Sequence, residues 1–522
     1  MRIPSPARKR GLALPAIIAA TGLTLAACTP TADQEGAPAG DGDDVPAGGE
    51  LVVGITSDAD NLSPWLATQF QSVNVLQTMY ETLTMYDDDL EVAPGLAESW
   101  DVSADGLTVT FHLREDVSFH DGTDLDSGDV VHSMESILDE STGAVGRDSL
   151  GSVESVEAVD EFTVDFHLSA PDAALPSSLA VVNLAITSAD DDLEELDTEP
   201  NGTGPFVYDT RTANQSITLE RFDDYWGEPA QADSLDLRII PDETSIMTAL
   251  EAGNVHFAQL RDPLVAQTAT DSVQVESTPE LSYHVLQLNS RTGPLTDVNA
   301  RLAIQCAIDR QGVLDGAAYG EGDVIGPITS PAFLSDPQER PCPERDLEAA
   351  ADYLAESEYP DGFSFTAIVS QGEYPTSVNE AQALQADLAE ANITMDIDAM
   401  DIGAFVDRWV DADFEAAVAL NGGRQDPEDM YGRYFTSGGA FNDVAGYSSD
   451  TLDELLAQGR SEDDHDTRVE IYDEISRELE DQAVWIWLFA GYTYTATTDG
   501  VEGFVPRADG SFRNLDNVTV SD

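Results

Sequence analysis

Basic residues are scarce in this chain. Its 522 residues hold 23 Lys and Arg against 100 Asp and Glu, and the only lysine is Lys9. A protein so poor in cations cannot neutralise a phosphate backbone, which excludes nucleic acid as a partner. The signatures of catalysis are missing too. There is no G-x-S-x-G, no H-E-x-x-H and no Walker loop. The seven His are scattered, and His112, His120 and His132 lack the helical spacing of a zinc pair. Residues 41–44 lack the remaining ligands of a calcium loop. Neighbouring acids such as Asp190, Asp191 and Asp192 carry no information in so acidic a chain. No enzyme, metal or cofactor is therefore expected. Only three cysteines occur. Outside one N-terminal stretch, no apolar run approaches the length that spans a bilayer.

That N-terminal stretch is informative. Arg2, Arg8, Lys9 and Arg10 precede an apolar segment, 12–27, that ends Leu25-Ala26-Ala27-Cys28. A basic flank, a short apolar segment and small residues before a cut site predict an export signal over 1–27. The Cys that follows resembles the lipobox of bacterial lipoproteins, which implies a lipid on Cys28; an ordinary signal with an incidental Cys is the alternative. Residues 29–49 are rich in Pro, Gly, Ala, Asp and Thr and have no apolar period, so 28–49 is expected to be a lipidated Cys and a flexible tether. Coil statistics give that tether an end-to-end distance of about 25 Å. Four of the 23 basic residues fall before Cys28 and none of the acids do, leaving 19 against 100 in the remainder. Acid spread so evenly suits a surface adapted to high salt, where the Debye length falls to about 3 Å at 1 M. Steering of cationic ligands is the alternative. Cys306 and Cys342 form an even pair in an exported chain, which predicts a disulfide; a buried free thiol at Cys306, on an apolar helix face, is the other reading.

The run 94–131 is the densest in signals. Leu107, Val109, Phe111 and Leu113 alternate with polar residues, the period of a half-buried strand. Ala104-Asp105-Gly106 reads as a turn, with 100–103 as the hairpin partner. Asp121-Gly122 is a second turn. Asp126 caps a helix with Asp129 at its third position and Val130, Met134, Ile137 and Leu138 on its apolar face.

The same run resembles the signature of extracellular solute-binding proteins of family 5, the oligopeptide, dipeptide and nickel receptors of ABC importers. Pro94, Leu96, Ala97, Glu98, Ser99 and Trp100 match its P-x-L-A-E-S-W. Ser103, Asp105 and Gly106 match S-x-D-G. Thr110, Phe111, Leu113 and Arg114 match T-F-x-L-R, and Val117, Phe119, His120, Asp121 and Gly122 match V-x-F-H-D-G. Further matches follow in the family's order: Gly202-Thr203-Gly204-Pro205-Phe206, Tyr225-Trp226, Ile240-Pro241-Asp242, Ala249-Leu250 with Gly253, and Ala307-Ile308-Asp309-Arg310. The resemblance runs from about 50 to 505.

Between these motifs, 51–55 reads as an apolar strand, 153–159 and 162–168 as a hairpin turning at Asp160-Glu161, and 298–314 as one helix. Leu347, Ala350, Ala351 and Leu354 mark a helix. Ala381, Leu384, Leu388 and Ala391 mark another, with Ile393, Met395 and Ile397 as a strand after it. Leu452, Leu455 and Leu456, then Tyr472, Ile475 and Leu479, mark two late helices, and 484–489 reads as a fully buried strand. Helices alternating with strands indicate α/β layers.

The resemblance implies an α/β fold of two lobes, the periplasmic-binding-protein fold of type II, with an extra α/β domain in the first lobe. On this chain lobe I would be 50–80, 200–276 and 491–522, the extra domain 81–199, and lobe II 277–490. Ligand would bind between the lobes and hold them closed. The family's pocket is lined by a loop ending in Asp-Pro, here Asn421, Gly422, Gly423, Arg424, Gln425, Asp426 and Pro427. Peptide-binding members place an Asp three residues before that Asp-Pro, against the peptide's α-amino group. This chain has Gly423 there, and a buried ammonium without an anionic partner is costly. Arg424 could hold a carboxylate or phosphate. Thr68, Gln69 and Phe70 match the pocket mouth, Asn183 a segment that reaches ligand in some members, and Gly491 and Tyr492 the region beside the hinge. The implied protein is a monomeric, lipid-anchored, extracytoplasmic receptor that delivers an oligopeptide or peptide-like solute to a membrane permease. The alternatives are a receptor for a nickel chelate, an opine or an oligosaccharide, a surface sensor and a secreted hydrolase.

Overall fold

The computed structural model describes residues 48–193, 195–371, 376–439 and 441–521. The expected signal, the lipidated Cys28 and nearly all of the tether lie outside them. Among the described residues no helix is long and apolar enough to cross a membrane.

Two large sheets and one small sheet organise the chain. The first has seven strands in the order Val273–Pro279, Tyr492–Thr498, Phe257–Leu260, Glu50–Ile55, Ser234–Ile239, Ser216–Arg221, Phe206–Thr212. Glu50–Ile55 pairs in parallel with both neighbours and is buried from Leu51 onward. Leu51, Val53 and Ile55 enter one core and Val52 enters the core on the opposite face. Burial on both faces is why this strand reads as a continuous apolar run.

The second sheet runs Asp323–Val324, Trp485–Ala490, Tyr283–Leu288, Ala416–Asn421, Phe363–Ser370, Ile393–Met400. Cores cover both of its faces. Trp485–Ala490 is wholly buried, as its unbroken apolar sequence requires. Cys306 and Cys342 are disulfide-bonded in this region.

The small sheet is antiparallel, Ala97–Val102, Thr108–Leu113, Thr163–Leu168, Val153–Asp160. Val109, Phe111 and Leu113 point to its core with Val164, Phe166 and Leu168, while the intervening residues are half-exposed. Helix Ser127–Leu138 closes that core. Asp126 caps it as expected, and Asp129 closes a reciprocal cap: the Asp126 side chain accepts from the Gly128 amide and Asp129 accepts from the Asp126 amide.

Several expectations need correcting. Leu107 precedes the strand and is 37% exposed. The second hairpin turns one residue later, after Asp160. Residues 298–314 are two helices, Val298–Ala307 and Arg310–Ala317, because Asp309 caps the second by accepting from the Gly312 amide. Leu347 is 38% exposed despite its helical spacing. A separate finding concerns the matched Gly202 and Gly204, neither of which has a left-handed backbone. They are glycine because a Cβ would stand 2.1 Å and 2.8 Å from the Met79 carbonyl oxygen.

That close approach holds together the two stretches that lead into and out of the small-sheet region. The Gly204 amide donates to Met79 at 2.9 Å. His120 locks the same loop: Nε2 donates to the Gly204 carbonyl at 2.9 Å and Nδ1 accepts from the Gly202 amide at 3.3 Å. Beneath it lies Glu81, buried, accepting from Tyr225 at 2.8 Å, Trp226 at 2.7 Å and Thr203 at 2.9 Å.

Candidate ligand-binding cleft

The chain crosses between the two large sheets at two adjacent places. Val273–Pro279 leads to Tyr283–Leu288, and Trp485–Ala490 leads back to Tyr492–Thr498. The crossings are held side by side: Pro279 pairs with Tyr492, His284 with Phe489, and between them the Glu280 amide donates to Gly491 at 2.9 Å. We call this paired two-strand ribbon the hinge, after the place where the two-lobe reading expects one. No Cβ-sized obstacle lies within 4 Å of Gly491.

The loop 421–427 leaves strand Ala416–Asn421 beside this hinge and enters helix Pro427–Phe435. Asp426 caps the helix, accepting from the Glu428 amide at 2.8 Å, with Pro427 at the first helical position. It is also clamped by Arg468, whose Nη2 donates to Oδ1 at 2.8 Å and Nη1 to Oδ2 at 2.5 Å, with both side chains buried. Asp426 therefore shapes the loop, and its two oxygens are already engaged by protein donors.

Gly423 lies against the hinge itself. A Cβ there would stand 1.9 Å from the Leu281 carbonyl oxygen. That oxygen also accepts from Thr329 Oγ1 at 2.5 Å, and the Leu281 amide donates to Ala508 at 3.1 Å. The position of the peptide-binding Asp thus has no room here for any side chain. Gly422, one residue earlier, faces open space. Asn421 is buried, accepts from Gln287 at 3.4 Å, and its Nδ2 has no partner among the described residues.

Arg424 is exposed. It lies close enough to Asp429 to act on that carboxyl. Burial, then the Asp426 charge, push Asp429 up to about 7, against the pull of Arg424 and of Ser178 Oγ, which donates to Asp429 at 3.1 Å. Gln425 reaches across the cleft, its Nε2 donating to Asp509 at 3.3 Å. Arg507 holds Asp509 at 3.1 Å and donates to the Tyr86 carbonyl at 3.0 Å. Glu321 makes a second crossing contact, accepting from Tyr494 at 2.9 Å and Gln267 at 2.8 Å.

The other expected residues fall into two groups. Phe70 is 38% exposed, lies 4.4 Å under the Arg261 guanidinium and abuts Gly510, next to Asp509. Tyr492 sits on the hinge ribbon, its phenol pushed up by burial and by Asp323. Phe70 is thus one residue from Asp509, which Gln425 contacts, while Tyr492 stays on the ribbon. Thr68 is turned to Asp60 instead, and Gln69 meets the same carboxylate through its backbone amide at 3.5 Å. Thr68 donates to it through Oγ1 at 2.6 Å and through its amide at 3.0 Å, and such bonds, with Ser72 foremost, outweigh burial and hold Asp60 at about 2. Asn183 stands apart from both. It is buried and donates to the Pro64 and Ala67 carbonyls at 2.7 Å and 3.1 Å, bracing a turn rather than facing the cleft.

Asp429, Asp509, Arg507 and Glu321 were not singled out from sequence. Only Asp429 carried a signal, an acid in the first turn of a helix after Asp-Pro, and that reads equally as dipole compensation.

Two mixed α/β sheet regions joined by a paired strand crossing, with a loop of one reaching the other, define a periplasmic-binding-protein fold of type II. Residues 91–443 match the family model of bacterial extracellular solute-binding proteins, family 5 middle. The chain belongs to that family. It is 28% identical over 462 residues to the dipeptide-binding protein of Escherichia coli (strain K12), covering 81% of this chain and 86% of that one. It is 26% identical over 525 residues to heme-binding protein A of Haemophilus influenzae, covering 94% and 95%. The solved structure of HbpA2 from Haemophilus parasuis superposes with a TM-score of 0.83 at 25% identity, covering 90% of this chain and 100% of that one.

Proposed function

We propose that this protein is the extracytoplasmic receptor of an ABC importer. It captures a peptide-like solute between lobe I (50–80, 200–276, 491–522) and lobe II (277–490), and delivers it to a membrane permease. The extra domain (81–199) rides on lobe I. Lipid on Cys28 and the tether hold the monomer at the cytoplasmic membrane. Support comes from the ribbon at Glu280 and Gly491, which lets two rigid sheets close on a ligand while the 421–427 loop stays docked to it. Closure works as a population shift: a ligand that touches both lobes stabilises only the closed form.

A second reading has its own observation. The relatives carry names for a dipeptide and for heme, and Gly423 packs on Leu281 where an ammonium-binding Asp would need space. A solute without a free α-amino group, such as an opine or a chelate, fits that change. Arg424 would then be its anionic group's partner. Mass spectrometry of solute released from purified protein decides between them. A peptide with a free amino terminus overturns the second reading; a non-peptide solute overturns the first. Arg424→Ala should weaken binding of the identified solute at least about tenfold, the scale of one charge-assisted bond; unchanged affinity removes Arg424 from the site.

A further inference from the structure

Most arginines of this acid-rich chain form ion pairs with carboxylates. Arg114, Arg301 and Arg310 donate to backbone carbonyls instead. Arg513 lies under the charge of Glu81, and Arg261 stands over Phe70. Arg424 and Arg433 are left, and neither has an ion pair with a carboxylate among the described residues. Both bear on one phenol: burial pushes Tyr434 up, against the pull of Arg433 and, after it, of Arg424.

Arg433 lies on helix Pro427–Phe435, one turn past Asp429 and on the same face. Asp429 accepts from Ser178 at 3.1 Å, so that face is turned to the region 81–199. Arg433 does not pair with Asp429. Its guanidinium stands 4.5 Å over the Phe441 ring and 5.6 Å from that of Tyr434. Trp409 completes the group, 6.4 Å from Tyr434 and 5.8 Å from Phe441, and both Trp409 and Phe441 are half-buried. Stacking occupies the flat face of a guanidinium and leaves its N–H edge to bond an acceptor in the plane. The Arg433 Nε is buried and has no such acceptor among the described residues.

A second donor beside it is also unused. Asn421 is 6% exposed, and its Nδ2 has no partner among the described residues. It is a neighbour of Arg433: burial and Tyr434 push the Tyr283 phenol up, against Asn421 and Arg433 together. A buried N–H without an acceptor is costly, and two guanidiniums beside it call for an acceptor that carries negative charge.

We infer that Arg433, with Arg424, is a specificity-determining group of the cleft: the two guanidiniums and the Asn421 amide take the carboxylate end of an organic anion, and the rings of Phe441 and Trp409 take a flat portion beside it. This rests on the receptor reading above and narrows its solute to a carboxylate-bearing one.

The test uses the purified mature protein with phthalate, a flat dianion, as probe and phthalamide as its neutral counterpart. Calorimetric titrations run in molar potassium chloride, which screens the repulsion between an anion and so acidic a chain. Phthalate should bind saturably and phthalamide should not. Arg433→Gln should weaken phthalate about tenfold, the scale of one charge-assisted bond. Arg477→Gln, the same loss of charge on a half-exposed residue paired with Glu339, should leave it unchanged. No saturable binding, equal binding of phthalamide, or equal effects of the two variants would each overturn the inference. Circular dichroism checks folding. If Arg433→Gln is unfolded, Arg433→Lys takes its place: it keeps the charge without the flat fork, should weaken phthalate about threefold, and overturns the inference if it binds as the parent does. Small-angle scattering of the same mixtures reads lobe closure apart from binding. A fixed radius of gyration with phthalate bound counts against the receptor reading and leaves the anion site standing; a shrinking radius with Arg433→Gln binding phthalate as the parent does overturns the anion site and leaves the receptor reading standing.

Discussion

Two adjacent glycines in the cleft loop should respond in opposite ways to the same methyl group. At Gly423 the added Cβ would lie 1.9 Å from the Leu281 carbonyl oxygen, whereas at Gly422 it would meet nothing within 4 Å. Ordinary contact begins near 3.4 Å, so Gly423→Ala demands a displacement of about 1.5 Å, more than packed backbone absorbs by breathing. Leu281 cannot simply withdraw, because its carbonyl holds Thr329 and its amide holds Ala508. Overpacking of this kind costs about 1–3 kcal/mol, and the backbone contact puts Gly423→Ala at the upper end, about 3 kcal/mol. Neither glycine has a left-handed backbone, so Gly422→Ala should stay within about 0.5 kcal/mol of the parent. Urea unfolding in molar salt, followed by tryptophan fluorescence, measures both. Equal stabilities for the two variants would refute the docking of the loop on the hinge. Gly423→Asp should likewise fail to gain affinity for a peptide amino terminus, since the side chain has nowhere to go without moving the hinge.

Four further outcomes follow from the structure. Asp429 is raised to about 7 by burial and Asp426, above the unfolded range near 4. Its contribution is therefore intact below about pH 4 and lost as pH rises through 7, so Asp429→Asn should flatten the pH dependence of stability in that window; an unaltered profile would show that the group is solvated. His120 is held at about 4 by burial, against the pull of the Gly204 carbonyl. It contributes above the free histidine range near 6.5 and is lost as pH falls through 4, so its ring should remain neutral at pH 5.5 by nitrogen NMR. Alkylation without reductant should leave Cys306 and Cys342 unlabelled, and Cys342→Ser should cost about 4 kcal/mol for a loop of 36 residues; labelling of the native protein contradicts the bond. Unfolding free energy should rise from dilute buffer to molar potassium chloride if the even acidity is salt adaptation; identical curves would end that reading.

Much of the fold was legible because the relevant signals are local. The hairpin around Ala104-Asp105-Gly106 and the cap at Asp126 follow from alternation and side-chain oxygens within a few residues, although the partner strand is Ala97–Val102 where 100–103 was expected. Failures came where a local signal competed with another of equal range. The helical period of 298–314 hid a cap at Asp309, and the spacing of Leu347 did not reveal which face of its helix meets solvent. The reason for Gly202 and Gly204 was illegible, since it lies in Met79, more than 120 residues away. The cleft shows the same division. Sequence resemblance located the loop, but Leu281, Asp509 and Glu321 enter through contacts across the hinge, and Asn183 matched a ligand-reaching segment while its amide turned to Pro64 and Ala67.

The clamp of Arg468 on Asp426 separates two properties that salt usually changes together. Charges exposed on this surface are screened by ions, so the stability of the whole molecule should vary with its medium. The Asp426–Arg468 pair is 5% and 7% exposed and lies beyond the reach of that screening. The shape of the loop it anchors should therefore depend less on salt than the stability of the whole molecule does.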